Sequence, residues 1–281
     1  MTDLQIKLLS MLDTFHKICI ENNLSYYVVG GTALGAIRHK GFIPWDDDID
    51  VGMPRDDYEK FKNLAKTLYL SEYEFEFSGK KDFTYTYGKM YDTTTTLIEN
   101  NRYKICRGIF IDIFPIDGLG NDYEEGLKHL RHVRKIKNLI GTKTCGIRKG
   151  RKLHKNLSIV VMHIIPERIL STNKLIQRFE ELCKNNNYND SDYVANLSGA
   201  WGTKEIIKKE WLGTPLECDF QNIKVLCPEQ SDKYLTALYG DWNKLPPKEK
   251  QKTHHDYLYI DLNHSYKVHC ENKENVSARG K

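Results

Sequence analysis

Apolar side chains recur at Leu4, Leu8, Met11, Leu12, Phe15, Ile18 and Cys19. That is the spacing of one helix face, so residues 3–22 are read as an amphipathic helix punctuated by Asn22-Asn23. Ser25–Val29 is dense in aromatic and β-branched residues and is expected to be a strand. Gly30-Gly31-Thr32 then turns the chain into a short helix, Ala33–Arg38. A loop over His39–Asp47 leads to a strand at Ile49–Met53 that Pro54 ends. Helical spacing returns over Asp56–Tyr69 through Tyr58, Phe61, Leu64 and Leu68. Strands are expected at Tyr73–Phe77, Phe83–Tyr91, Thr95–Glu99 and Ile109–Phe114, with a turn at Pro115 and Asp117-Gly118. Beyond that the pattern is helical: Leu127, Leu130, Val133, Ile136 and Ile140 form one stripe, and further helices are expected at 173–186 and 231–239. The polar end, Glu271–Lys281, is expected to fray.

This alternation predicts a mixed α/β (α+β) fold with a helical C-terminal lobe. The chain has 281 residues, of which 40% are hydrophobic, enough for a substantial core. Its 42 basic and 38 acidic residues nearly balance, which argues against a polyelectrolyte or nucleic-acid binder. The longest apolar stretch, around Leu157–Ile165, is too short to span a bilayer, and the first residues do not read as a secretory signal. Seven scattered cysteines without a Cys-x-x-Cys motif are most simply reduced thiols in a cytoplasmic protein.

Asp46-Asp47-Asp48-Ile49-Asp50 packs four carboxylates into five residues. Like charges this close repel, so stability alone gives no reason to keep them. On an extended backbone Asp46, Asp48 and Asp50 share one side while Ile49 and Val51 face the core. Paired acids of this kind form an oxygen claw for a divalent cation, typically Mg²⁺. The competing reading is a solvated acidic turn. Asp112, between Ile111 and Ile113 in an apolar strand, is costly to bury unpaired and would complete the cage. Asp117, before Gly118, fits a turn-capping role better. Gly30-Gly31-Thr32 opens a helix, where backbone N–H groups can approach phosphate; it is neither a Walker loop nor a Rossmann motif. Arg38, with its neighbours His39 and Lys40, and Lys89 are phosphate-binding candidates. Trp45 offers either core packing or a face for a quaternary ammonium.

The stretch Tyr27–Tyr58, containing Val28-Val29-Gly30-Gly31-Thr32 and Pro44-Trp45-Asp46-Asp47-Asp48-Ile49-Asp50-Val51, closely resembles the LicD family of phosphocholine transferases. Fukutin-related protein, a ribitol-phosphate transferase, is a distant relative of that family. Further matches are Gly88-Lys89 with Tyr91-Asp92, Ile111-Asp112-Ile113-Phe114-Pro115-Ile116-Asp117-Gly118, Tyr239-Gly240-Asp241-Trp242 with Leu245-Pro246-Pro247, and His254-His255. The resemblance covers about residues 3–118 and 211–256; residues 124–205 carry no diagnostic motif. It implies a nucleotidyltransferase-type catalytic core over 1–120, a mostly helical lobe over 121–270 that completes the site on the acceptor side, and a polar tail from 271. It also implies transfer of a phospho-alcohol from a CDP-activated donor to a glycan hydroxyl, the glycan or its lipid-linked precursor belonging to teichoic acid, capsule or lipopolysaccharide.

On that basis Mg²⁺ (or Mn²⁺) held by Asp48, Asp50 and Asp112 would bridge the diphosphate of CDP-choline, the acceptor hydroxyl would attack in line, and CMP would leave. Asp50 and Asp112 are both candidates for the hydroxyl proton. Gly30, Gly31, Thr32, Arg38 and Lys89 would bind the nucleotide and phosphates, and Trp45, Asp46, His254 and His255 the substrate. The relative's zinc-binding cysteines have no counterpart here, so zinc is not expected. CDP-ribitol or CDP-glycerol is the alternative donor, and a catalytically dead glycan- or membrane-surface module is the alternative of another class.

Between Gly126 and Lys155 the sequence carries basic residues with no Asp or Glu, and Leu157–Ile165 follows directly. A basic amphipathic helix followed by an apolar run suits the interface of an anionic membrane, which would place the protein peripherally at the inner face. The other reading packs the apolar stripe inward and leaves the basic face solvated, as amphipathic helices in soluble proteins usually do.

Overall fold

The computed structural model describes residues 1–79, 83–103, 105–253, 255 and 257–270. Helix α1 (Asp3–Glu21) opens on a capping box: the Thr2 hydroxyl accepts the Gln5 N–H at 3.2 Å, and the Gln5 amide oxygen accepts the Thr2 N–H at 3.0 Å. Its expected apolar face is buried, with Leu8, Met11, Leu12, Phe15 and Cys19 at the centre of the main core. Strand β1 (Tyr27–Val28) follows, then α2 (Gly30–His39), β2 (Asp50–Pro54), α3 (Arg55–Leu64), β3 (Tyr73–Glu76), β4 (Gly88–Asp92), β5 (Thr96–Glu99), β6 (Cys106–Arg107) and β7 (Phe110–Gly118). The helical middle comprises α4 (Tyr123–Thr144), α5 (Leu153–Ile164) and α6 (Thr172–Cys183). The chain then runs through β8 (Tyr193–Ala195), β9 (Ile207–Lys208), α7 (Lys209–Leu212), β10 (Leu216–Phe220), β11 (Ile223–Cys227), α8 (Ser231–Tyr239) and β12 (Tyr257–Asp261).

The central sheet has the order β1-β2-β7-β4-β3, with β8 and β9 continuing from the far end of β7. Among the described residues only β2 and β7 run parallel, and their register sets Asp50 directly beside Asp112. Ile49 and Val51 are buried as expected, but β2 does not alternate beyond them: every residue from Val51 to Pro54 is buried. The mixed α/β class therefore holds, and among the described residues no helix is long and apolar enough to cross a membrane.

Several expected boundaries move, each for a local reason. Helix α2 begins at Gly30 rather than Ala33, so the glycine pair is its first turn and not a turn ahead of it. Residues 83–87 are irregular, and β4 starts only at Gly88. Strand β7 runs through Pro115 and Asp117-Gly118, where a turn was expected. The Asp112 N–H bonds the Ile49 carbonyl, on the β2 side. By alternation, the nitrogen of Pro115 faces the β4 side, where pairing has already stopped at Gly88–Ile113, so its missing N–H breaks no ladder bond. Asp117 correspondingly does not cap a turn. It is buried and grips Arg55, with Nε to Oδ1 at 2.6 Å and a second guanidinium nitrogen to Oδ2 at 2.9 Å.

The stripe of α4 faces inward: Leu127, Leu130, Val133 and Ile140 pack with Ile176, Phe179 and Leu182 of α6 in a second core. After α6 the chain recrosses the expected lobe boundary at residue 120. Strand β8 joins β7, the β10–β11 hairpin packs on α1, α2 and β1, and β12 pairs with β5. The last part of the chain thus returns to the first core.

Candidate active site

The C-terminal half of the acidic run and the first turn of α2 are stitched together by the backbone. The Val29 N–H donates to the Asp50 carbonyl at 3.1 Å, and the Asp50 N–H donates to the Thr32 hydroxyl at 2.9 Å. The Gly30 N–H donates to the Tyr234 hydroxyl, brought in by α8, at 3.0 Å. Gly30 has φ +55°, a left-handed conformation that glycine adopts without cost. A Cβ at Gly31 would come within 2.9 Å of an Asp46 carboxylate oxygen. The glycine pair therefore lets the carboxylates lie against the start of α2.

Two adjoining cavities meet over these residues. The larger, about 610 Å³, is lined by Gly31, Arg38, Trp45, Asp46, Asp48, Asp50, Trp201, Tyr239, Trp242, Lys250, Lys252 and His255. The smaller, about 240 Å³, adds Gly30, Asp112, Ser198, Glu205 and Tyr234 and shares Asp48, Asp50, Trp201 and His255. A more voluminous depression, about 840 Å³, lies elsewhere around Tyr27, Tyr188 and Lys209 and holds none of the expected site residues. Volume alone does not pick the site; converging chemistry does.

The electrostatics of the floor are dominated by uncompensated acid. Burial, then the charges of Asp48, Asp112 and Asp46, push the Asp50 carboxyl well above its ordinary range. Burial and the neighbouring Asp48 raise Asp46 to about 8. Burial also raises Asp112, against the pull of Lys89. Burial works against a charge on Asp47, but its hydrogen bond to His255 outweighs that and holds it low. His255 is in turn drawn up to about 9: burial opposes its charge, and Asp47 and Asp48 overcome that. Its Nδ1 lies 2.8 Å from Asp47 Oδ1 and its Nε2 3.4 Å from Asp48 Oδ2.

Asp46 and Asp50 have no ion-pair partner among the described residues. Hard oxygen ligands around surplus negative charge fit a divalent cation. The tightest set of three ligating side chains among the described residues is nevertheless Asp47, Asp48 and His255, all within 4.8 Å of one another. Asp48, Asp50 and Asp112 share the smaller cavity without closing that far. Without a metal the His255 imidazole is held protonated between the two carboxylates and serves as their cation; a metal bound there would displace that proton.

The expected phosphate contacts divide. Gly30, Gly31 and Arg38 face the cavities, Arg38 being steadied by donation to the Trp242 carbonyl at 2.7 Å. Thr32 is buried and serves the Asp50 backbone. Lys89 is fully buried behind Asp112, with Nζ 2.7 Å from Oδ1 and close over the Phe110 and Tyr85 rings, and so lines neither cavity. Trp45 and Asp46 line the larger cavity and His255 stands at its rim, whereas His254 lies outside the described residues.

Sequence reasoning gave no role to Trp201, Tyr239, Trp242, Lys250, Lys252, Tyr234 or Glu205. Tyr239 and Trp242 fall in a motif that the resemblance flagged; Trp201 and Glu205 fall in a stretch with none. Their segment is held from behind by Lys137 of α4, which donates to the Ser198 and Gly199 carbonyls, and by Glu205, which accepts the Trp201 N–H at 3.0 Å.

Residues 23–137 match the LicD/FKTN/FKRP nucleotidyltransferase-domain family. Over 255 residues the chain is 30% identical to the lipopolysaccharide cholinephosphotransferase LicD of Haemophilus influenzae, an alignment covering 89% of this chain and 94% of that protein. The chain belongs to the LicD family. An uncharacterised protein of Rickettsia prowazekii is 29% identical over 111 residues, 40% of this chain and 34% of its own length. One from Rickettsia typhi is 37% identical over 59 residues, 21% of this chain and 19% of its own. The LicD domain match spans both glycines and all the carboxylates of the floor; the wall of Trp201, Tyr239 and Trp242 lies outside it.

Proposed function

We propose that this LicD-family chain transfers phosphocholine from CDP-choline to a hydroxyl of a glycan or its lipid-linked precursor, releasing CMP. The observation that carries this reading is a single cavity with acids on its floor, Trp45, Trp201, Tyr239 and Trp242 on its walls, and Arg38, Lys250 and Lys252 among its lining. The Haemophilus influenzae relative's name supports the phosphocholine group and the glycan acceptor.

The aromatic faces suit a trimethylammonium group, which is attracted to ring quadrupoles and offers no hydrogen-bond donor. Arg38 and the lysines suit the diphosphate, as do the N–H groups at the start of α2. The acceptor oxygen attacks the phosphorus of the phosphocholine group; a new P–O bond forms, the P–O bond to CMP breaks, and the hydroxyl proton passes to a floor carboxylate. Asp50 and Asp112, which both line the smaller cavity, are the two carboxylates in position for that last role. Lys89 holds Asp112 in place. A divalent cation, Mg²⁺ or Mn²⁺, held by Asp48, Asp50 and Asp112 would neutralise charge on the diphosphate.

The test is a thermal-shift panel with CDP-choline, CDP-ribitol and CDP-glycerol in the presence of Mg²⁺, followed by detection of CMP. The largest shift is expected with CDP-choline. A larger shift with either alditol donor would replace the donor, and absence of CMP release with every donor and glycan acceptor would remove the catalytic reading.

A further inference from the structure

Helix α5 differs from its neighbours in what it leaves uncovered. Leu153, Leu157, Val160, Val161 and Ile164 follow the i, i+4, i+7, i+8, i+11 spacing of a single helix face. All five are exposed, Leu153 at 84% and Ile164 at 74%, and Ile159 is the one buried residue of the helix. The stripe of α4 is spent on the second core; that of α5 points away from the protein. At 1.5 Å per residue the helix is roughly 18 Å long, too short to span a bilayer and long enough to lie in its surface.

The charge beside the stripe is one-sided. The exposed Lys149 and Lys152 lead directly into α5 and the exposed Lys155 sits in its first turn, while Arg151 is engaged by the Gly146 carbonyl at 3.0 Å. No acid occurs between Glu125 and Glu167. Glu167 is already engaged, by Lys143 at 3.2 Å and by the Thr172 N–H at 2.7 Å. An apolar face with a basic end needs an occupant that is apolar and anionic at once. A second copy of the chain would bring two such positive segments together.

We infer that α5 docks the protein on an anionic lipid bilayer, with the Leu153–Ile164 face among the acyl chains and the basic residues at its start against the lipid phosphates. Residues of α5 line neither site cavity, so the inference stands independently of the transfer reaction.

The test is flotation of the full chain with vesicles of phosphatidylglycerol mixed into phosphatidylcholine, compared with phosphatidylcholine alone. Binding is expected to the first and not the second, and to weaken between 0.1 and 0.5 M salt, on the order of a Debye-length effect. Leu157→Gln with Val161→Gln should abolish it. Lys149→Gln, Lys152→Gln and Lys155→Gln together should lower it on the order of a hundredfold, roughly fivefold for each lysine. These side chains are solvent-facing, and unchanged thermal melts would show that the variants fold. Equal binding to neutral vesicles, no binding to either, or full binding by the Leu157/Val161 variant would overturn the inference. So would a gel-filtration dimer that becomes monomeric in that variant, because a second copy would then be the occupant.

Discussion

Asp50 lies where burial and three neighbouring carboxylates all oppose its charge. On the proposed reaction, Asp48→Asn and Asp50→Asn should each cut CMP release at least a hundredfold, because loss of a cation-holding carboxylate would remove several kcal/mol of transition-state stabilisation. Asp50→Asn should leave the melting temperature equal or higher, since it deletes repulsion; a lowered melting temperature with retained turnover would contradict the assigned role. Arg55 and Asp117 form the opposite kind of pair, matched and buried. Arg55→Ala should cost about 3–5 kcal/mol in urea unfolding, because it strands a buried carboxylate. At this scale the acids of the floor were legible: four crowded carboxylates in a strand-like pattern announce themselves within five positions. The Arg55–Asp117 pair was not, because its members are 62 positions apart and the local signal, proline then Asp-Gly, favours a turn.

Elements α1, β2 and α8 are where the hydrophobic spacing places them, since each is governed by its own periodicity. Strand β7 is where local rules lose to the sheet. Pro115 is tolerated because β4 has already ended alongside it, which only the three-dimensional register reveals. The glycine pair shows the same limit. As the first turn of α2 it is held by Tyr234 from α8, and its packing against Asp46 is a tertiary fact. Gly31→Val should therefore lower calorimetric affinity for CDP-choline, on the order of tenfold or more, because a side chain there would collide with the Asp46 carboxylate and cover the amides. Unchanged affinity in a folded variant would separate those amides from donor binding.

The molecule as a whole carries an imprint of its site in its stability. Glu205 is buried under the Trp201 segment, and burial raises its pKa from 4.5 to about 7. Because the folded pKa is the higher one, the folded state takes up a proton that the unfolded chain lacks between those values. Its contribution is fully present below pH 4.5 and is lost as pH rises through 7, on the order of 3 kcal/mol in all. Glu205→Gln should flatten that segment of the profile, as read from urea midpoints at pH 5 and pH 8; the same pH dependence in the variant would assign it to other groups. Nothing in the sequence around residue 205 signals this, because the partner stretch 196–201 has no motif and acquires meaning only when α4 pins it beside the acids. The same dependence on distant chain has a consequence for how the protein is made. Asp47 and His255 lie 208 positions apart, and Gly30 and Tyr234 lie 204 apart. At roughly 5–20 residues per second the ribosome delivers the acids on the order of 10–40 s before the histidine that bridges two of them. Trp201, Tyr239 and Trp242 emerge in the course of that interval and His255 after them, so the proposed site can be assembled only once the ribosome has passed residue 255.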